Sequence, residues 1–453
     1  MSGRLRFRPR VFELGDVEPA AALAQLTTHA RPVLLDSARG EPSRFSLLAF
    51  DPLATEADAP HTPSIGALRA LHARLEAADG DDVPGPFHGG LLGALAYDLG
   101  AAGERAVEVA PEPWGAPLAV AGLYVDFLVR DEHARRTWLV LGDEPGDGRA
   151  SLASRHERIL AELAAAPLES ACEAGELVRW TGPAEHRARI ERCREFIAQG
   201  DIYQANLAHR FTCVADGAPH AWYARLRRVN PAPYMAFLEW PGGALLSASP
   251  ELLLEFDGEL ARTRPIKGTA PRAAEAELDA ARARALLASE KDRAELAMIV
   301  DLERNDLARV CEPRGVWVEG FPTLASYAHV HHLMADVVGR PRVDVDAFTL
   351  LEALFPGGSI TGAPKLRAMQ RIAELEGHGR GFFCGSSGFV DLRGRAAWNI
   401  LIRTLVWRPT PADSRAGELS FRVGGGITWA SDAAAEERET LDKARGLIET
   451  LRA

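Results

Sequence analysis

Two pairs of acids have a spacing that can do chemistry. Asp292 and Glu295 stand three residues apart, and so do Glu436 and Glu439. On helices, each pair would share a face and offer two carboxylates to one point. Four converging carboxylates suit a hard divalent cation, with Mg²⁺ keeping several waters to meet a substrate oxygen. The same spacing also describes two solvated, charged helix faces. Lys267 lies in Arg264-Pro265-Ile266-Lys267-Gly268-Thr269, a stiff, uncluttered turn. Buried there, it would lose its charge and become a nucleophile; exposed, it is an ordinary turn lysine. Gly357-Gly358-Ser359-Ile360-Thr361-Gly362-Ala363-Pro364-Lys365 reads as a glycine-rich turn into a helix with Pro in its first turn. Its backbone N–H groups can hold an anion or simply cap the helix. It is not a Walker A loop, because Lys does not directly follow Gly362. Gly424, Gly425 and Gly426 allow close backbone approach to a ligand, or form a bulge. His329, His331 and His332 lack a nearby acid or cysteine to complete a metal set, and read as polar groups for a substrate or the core.

These groups need elements to position them. Before a weakly periodic stretch at 164–183, strand-like runs at 31–35, 122–130 and 137–141 alternate with helical stretches at 19–28 and 64–78. The alternation at 5–8 reads as an edge strand. After the stretch comes a helix at 186–199, closed by Gly200. Strands are predicted at 207–213, 235–240, 252–256, 259–263, 388–391 and 397–406, and helices at 273–300, 364–375 and 433–451. The break suggests an N-terminal region, 1–170, and a second region, 181–453. Strands clustered in runs point to α+β layers rather than a doubly wound parallel sheet.

The whole chain bounds the function class. Its 453 residues are enough for two or three domains with a large core. A net charge of −11 argues against nucleic acid or an anionic membrane as partner, leaving room for a local basic cleft. Five scattered cysteines without a C-x-x-C fit a reducing compartment. With no signal-peptide core and no apolar run of about 18 residues, a cytoplasmic protein is expected.

The order of the segments is specific. From about Thr181 to Ala453 the chain resembles the chorismate-utilising enzymes. The resemblance is carried by Gly200-Asp201-Ile202-Tyr203-Gln204-Ala205-Asn206-Leu207, Ser249-Pro250-Glu251, 264–269, 291–295, 298–306, 357–365, Ile402-Arg403-Thr404, 424–427 and 436–443. The N-terminal half is similar more weakly, through Leu34-Leu35-Asp36-Ser37-Ala38, 87–98 and Asn230-Pro231-Ala232-Pro233-Tyr234-Met235. The resemblance implies two large β-sheets packed as a sandwich with helices outside, and an active site in the cleft between them.

Lysine in Pro-Ile-Lys-Gly-Thr is characteristic of the aminodeoxychorismate branch, where it is the nucleophile; anthranilate synthases usually have Ala there. Isochorismate and salicylate synthases have a general-base Lys where this chain has Gln204. The implied reaction is chorismate plus ammonia giving 4-amino-4-deoxychorismate, a step toward p-aminobenzoate and folate, with Lys267 as nucleophile and Glu251 as general acid. The implied cofactor is Mg²⁺, held mainly by Glu295 and Glu439, with Asp292 and Glu436 acting through waters. Arg403, His332, Ser359, Phe383 and Gly424 to Gly426 match substrate-contact positions; Phe383 departs from the usual Tyr or Trp. Ser37, Pro233, Tyr234 and Met235 resemble the family's tryptophan pocket. No Gly-x-Cys-x-Gly glutaminase elbow is present, so ammonia is expected from a separate glutaminase subunit. A separate lyase is expected too, since the chain ends soon after Lys443. The rival readings are anthranilate synthase component I and a catalytically silent, tryptophan-binding subunit.

Overall fold

The computed structural model describes residues 5–38, 43–56, 63–103, 107–143, 148–166, 171–327, 330–410 and 413–453; His329 lies outside them. Two sheets dominate, of thirteen and ten strands, and every pairing within them is antiparallel. The larger runs Glu173–Ala174, Gln204–Asp216, Asp413–Ile427, Thr404–Thr410, Gly243–Ser249, Tyr234–Trp240, Val33–Asp36, Phe45–Phe50, Asp126–Asp131, Arg136–Gly142, Pro9–Gly15, with Val178–Arg179 and Gly362–Ala363 also paired to Gln204–Asp216. The smaller runs Ile266–Pro271, Val330–Pro341, Ala261–Arg264, Leu252–Phe256, Ala396–Asn399, Ser386–Asp391, Gly90–Leu95, Ala119–Tyr124, Ala54–Thr55, with Cys311–Ser326 also paired to Val330–Pro341. Strands from both sides of the 164–183 stretch share each sheet.

Alternation along the strands builds two layers of core. Leu47, Ala49, Leu238 and Leu245 join Leu91, Leu92, Leu253 and Leu254 of the smaller sheet in one cluster. Their neighbours Leu48, Phe50, Phe237 and Leu246 face the other way, against Trp222, Tyr223, Leu226 and Leu447 from helices. A period of two therefore places one face of the larger sheet between the sheets and the other beneath helices. This is the sandwich with outer helices expected from the sequence.

Several predicted elements are divided by tertiary structure. The apolar run at 122–130 is two strands in different sheets, Ala119–Tyr124 and Asp126–Asp131, with the chain crossing at Val125. The run at 397–406 likewise becomes Ala396–Asn399 in the smaller sheet and Thr404–Thr410 in the larger. Runs buried on both faces lack the alternation that would mark a change of sheet. The helix predicted at 64–78 ends at His72, and Leu75–Ala77 pairs in parallel with Leu5–Phe7. The helix predicted at 273–300 is two, Ala276–Ala288 and Glu290–Ala308. Ser289, in an extended conformation, breaks them, and its hydroxyl accepts the Asp292 N–H at 3.3 Å. Ser289-Glu290-Lys291-Asp292 is the sequence signal for that cap. The helix predicted at 19–28 is only Pro19–Ala22. Among the described residues no helix is long and apolar enough to cross a membrane, and all five cysteines are free and buried.

Candidate active site

The site forms where the chain changes sheets. Between Gly243–Ser249 of the larger sheet and Leu252–Phe256 of the smaller, Pro250 and Glu251 make one crossing; residues 400–403 make another. The crossings are tied together: the Ile400 N–H donates to the Glu251 carbonyl at 3.0 Å, and the Ala248 N–H to the Arg403 carbonyl at 3.1 Å. Arg403 is held at φ 52°, a conformation that a non-glycine residue keeps only when its surroundings enforce it.

Lys267 comes from the edge strand Ile266–Pro271, paired opposite Leu333. A bulge separates Lys267 from Thr269, and Gly268 occupies it at φ 68°. A side chain on Gly268 would stand 2.9 Å from Asp292 Cβ, so this glycine lets the lysine strand approach the acidic helix. Lys267 Nζ donates to the Ser359 carbonyl at 2.9 Å. Burial lowers its pKa, opposed by the nearby Glu251 charge. Glu251 is 3% exposed, and the Ile266 N–H reaches its Oε1 at 3.3 Å. Burial raises its pKa, opposed by Ser359, Lys267, the Ile266 N–H and Arg403. Ser359 Oγ thus lies near enough to favour the ionised carboxyl, yet it is buried without a well-formed hydrogen bond. A buried hydroxyl beside a carboxyl, without a well-formed bond to it, can turn to a ligand oxygen.

His332 joins the wall from the neighbouring strand. Its Nδ1 lies 3.0 Å from the Gly268 carbonyl and its Nε2 3.3 Å from Arg403 Nη2. Burial first, then Arg403, push its pKa down to about 3. It is therefore neutral, with Nδ1–H donating to the carbonyl and Nε2 accepting from the guanidinium. Arg403 keeps its remaining donors for an anion.

The four acids approach one another from two helices, Glu290–Ala308 and Ala433–Arg452. Burial raises the pKa of Glu295, and the charges of Asp292 and Glu439 add to it. Burial also raises Glu436, partly offset by its bond from Ser431 Oγ at 2.6 Å, while Glu439 adds to the rise. Burial works to raise the Glu439 pKa, but Lys443 at 2.8 Å, with Lys291 and Lys267, lowers it overall. Among the described residues no three such side chains stand in a ready metal-ligating group. The donor chemistry nevertheless fits a hard cation: all four are carboxylates, Glu436 buried and Glu295 partly so, while Glu439 is half-exposed beside Lys443.

Gly424, Gly425 and Gly426 pair with Ala208, Leu207 and Asn206 on the strand beneath these acids. A Cβ on Gly426 would fall 2.1 Å from Gln204 Nε2; one on Gly425 would look onto Glu436 Oε2 at 3.4 Å. Gln204 is buried, with its Oε1 lacking a partner. Lys365, by contrast, turns away: its Nζ bonds Asp306 Oδ2 at 2.6 Å and the Leu354 carbonyl at 3.1 Å, fastening loop to helix. Phe383 is buried under Arg380 and lines a small cavity with Arg210, Thr404 and Arg422. His331 bonds Asp279 and Ser326, outside the Lys267 cluster.

At the N-terminal end, Met235 pairs opposite Asp36, which brings Ser37 beside Pro233, Tyr234 and Met235. Ser37 Oγ donates to the Phe45 carbonyl at 2.7 Å, and Asp36 accepts from Tyr223 at 2.8 Å and Arg227 at 2.7 Å. Tyr234 Oη accepts from Arg264 at 3.2 Å, linking this corner to the strand before Lys267. Sequence reasoning missed Lys443, which reaches the Gly424 carbonyl at 3.3 Å, and Glu303, buried behind Glu251. Both lie in segments that carry the resemblance, 436–443 and 298–306, but the resemblance assigned neither of them a role.

The family described as chorismate binding enzyme matches residues 31–449. Anthranilate synthase component 1 of Streptomyces coelicolor is 38% identical, the match covering 96% of this chain and 87% of that protein. Aminodeoxychorismate synthase component 1 of Klebsiella aerogenes is 37% identical, covering 90% of each. The crystal structure of anthranilate synthase component I from Streptococcus pneumoniae superposes with a TM-score of 0.76 at 28% identity, covering 89% of this chain and 92% of that one. With its site built at the sheet crossings and its length matched almost throughout, this chain belongs to the chorismate binding enzyme family.

Proposed function

We propose that this enzyme is an aminodeoxychorismate synthase component I, converting chorismate and ammonia to 4-amino-4-deoxychorismate through a covalent lysine intermediate. The observation that carries the reading is Lys267: a desolvated amine, held on the Ser359 carbonyl, beside the buried carboxyl of Glu251. Lowering the pKa frees the lone pair for attack at C2 of chorismate as the C4 hydroxyl departs. Glu251, protonated, gives its proton to that hydroxyl, which leaves as water. Ammonia then adds at C4 and expels the lysine. Arg403, with neutral His332 behind it, offers donors to a carboxylate, and Ser359 Oγ to another substrate oxygen. Glu295, Glu439, Asp292 and Glu436 are the residues that would hold Mg²⁺, which when bound supplies positive charge to the ring carboxylate. Gln204 cannot act as the base that would activate water at C2, because an amide does not take up a proton near neutral pH.

The name component 1 of the relatives implies a partner component, here a glutaminase subunit that supplies ammonia. The purified chain with chorismate, Mg²⁺ and ammonium salt at alkaline pH is expected to form 4-amino-4-deoxychorismate, identified by conversion to p-aminobenzoate on adding the lyase. Glutamine is expected to be inert until a glutaminase is added. The 38% likeness to an anthranilate synthase makes anthranilate the competing product, and finding it instead would replace this reading.

Tryptophan is expected to bind, if at all, as a structural ligand at Ser37, Pro233, Tyr234 and Met235. A ligand of the folded state alone raises stability without changing catalysis, and inhibition needs unequal affinity for two conformations. Thermal melts should rise or stay unchanged with tryptophan while turnover stays constant; strong inhibition at micromolar tryptophan would favour the anthranilate branch.

A further inference from the structure

Glu303 lies on the helix Glu290–Ala308, two turns beyond Glu295, and is 1% exposed. Its hydrogen bond comes from Thr263 Oγ1, 2.9 Å from Oε2. The Thr263 hydroxyl also lies 3.5 Å from the carbonyl of Leu252, the residue next to Glu251. On the other side a Cβ on Gly358 would stand 3.4 Å from Glu303 Cγ, and the next residue, Ser359, faces Glu251. The two segments that pack on the Glu303 side chain are thus continuous with the residues next to the Glu251 carboxyl. The nearest cation, Lys365, is bound to Asp306 at 2.6 Å, and Lys267 and Arg403 lie on the Glu251 side. Cys384 also adjoins Glu251, with its thiol pushed up to about 12 by burial and so uncharged.

We propose that Glu251 and Glu303 form one buried carboxyl pair that holds a shared proton at neutral pH, with Glu303 as the positioning residue that keeps Glu251 supplied as an acid. The inference rests on the role given to Glu251 above. Two carboxyls in one dry wall do not both ionise readily, so the second proton is held far above the usual carboxylate range. Burial first, then the Glu251 charge, push Glu303 up to about 8. The pair then behaves as a unit with two macroscopic steps, and the upper one sets the alkaline limit of acid catalysis. The shared proton goes through Glu251 to the departing hydroxyl, and both carboxyls are left charged until solvent returns one proton to the pair.

Glu303→Gln keeps the shape and removes the proton site. In infrared difference spectra of the full-length chain without ligand, a protonated-carboxyl band is expected at pH 7, fading near pH 8 and absent in Glu303→Gln. Thr263→Val, which removes the bond favouring the charged form, should keep the band to higher pH. With free ammonia held constant, the alkaline limb of chorismate turnover should move to lower pH by about one unit or more in Glu303→Gln, and Glu303→Asp should restore part of it. Stability gives a further readout. The folded state binds more protons than the unfolded between the ordinary glutamate value of 4.5 and about 8, so wild-type stability falls as pH rises through that window. Glu303→Gln should lose that slope. A band unchanged in folded Glu303→Gln, or an unmoved alkaline limb, overturns the pair. Full activity of Glu251→Gln would remove the acid role while leaving the infrared test of the pair intact, and anthranilate as product would alter the assigned reaction without touching either test.

Discussion

Lys267→Ala is expected to reduce aminodeoxychorismate formation by at least about a thousandfold, roughly 4 kcal/mol of transition-state stabilisation, while chorismate binding stays within a few fold. Binding should survive because the donors available to the substrate come from Arg403, Ser359 Oγ and the glycine strand, and of these Lys267 touches only the backbone carbonyl of Ser359. The chemistry should not survive, because no other described amine combines that burial with a place beside Glu251: Lys443 is held by Glu439 and Lys365 by Asp306. Lys267→Arg should be as inactive, since guanidinium stays charged and cannot attack. In wild type, turnover at constant free ammonia should rise with pH as Lys267 loses its proton, then fall as Glu251 can no longer hold one. Rates with ammonium salt, chorismate affinity by calorimetry, and intact mass of enzyme quenched during turnover test these points. Near-normal turnover of Lys267→Ala to the same product would exclude covalent catalysis.

Glu295→Gln and Glu439→Gln are each expected to abolish activity, by about a hundredfold or more, whereas Asp292→Asn should be milder. A site with few anionic protein ligands loses much of its hold on a divalent ion when one is neutralised. A readout independent of turnover is available. Mg²⁺ should raise the melting temperature of wild type by mass action, and the increment should disappear in both glutamine variants. Without metal, Glu295→Gln should not destabilise the fold, because it removes a carboxyl whose pKa burial and the charges of Asp292 and Glu439 raise. Full activity in excess chelator would end the Mg²⁺ assignment.

The sequence by itself determined the materials of the site and the class of fold. Spacing put Asp292 with Glu295 and Glu436 with Glu439, and the helices Glu290–Ala308 and Ala433–Arg452 do carry them. Runs of alternating and continuous apolar residues were enough for large buried sheets, and the ordered motifs from Gly200 to Lys443 were enough for the family. Tertiary structure decided what the runs at 122–130 and 397–406 could not express: the points where one strand leaves one sheet and enters the other. Burial on both faces erases the period that would mark such a point. Yet these crossings place Glu251 and Arg403, and hence the cleft. Charge state was likewise beyond the sequence. Lys267 and Lys365 both lie in turns with Gly and Pro within three residues, but one is desolvated against a carbonyl and the other is paired with Asp306. Glu303 is one acid among 63 Asp and Glu in the sequence. Only the walls formed by Thr263 and Gly358 set it apart, because a pKa depends on what surrounds a carboxyl in space and not on its neighbours along the chain.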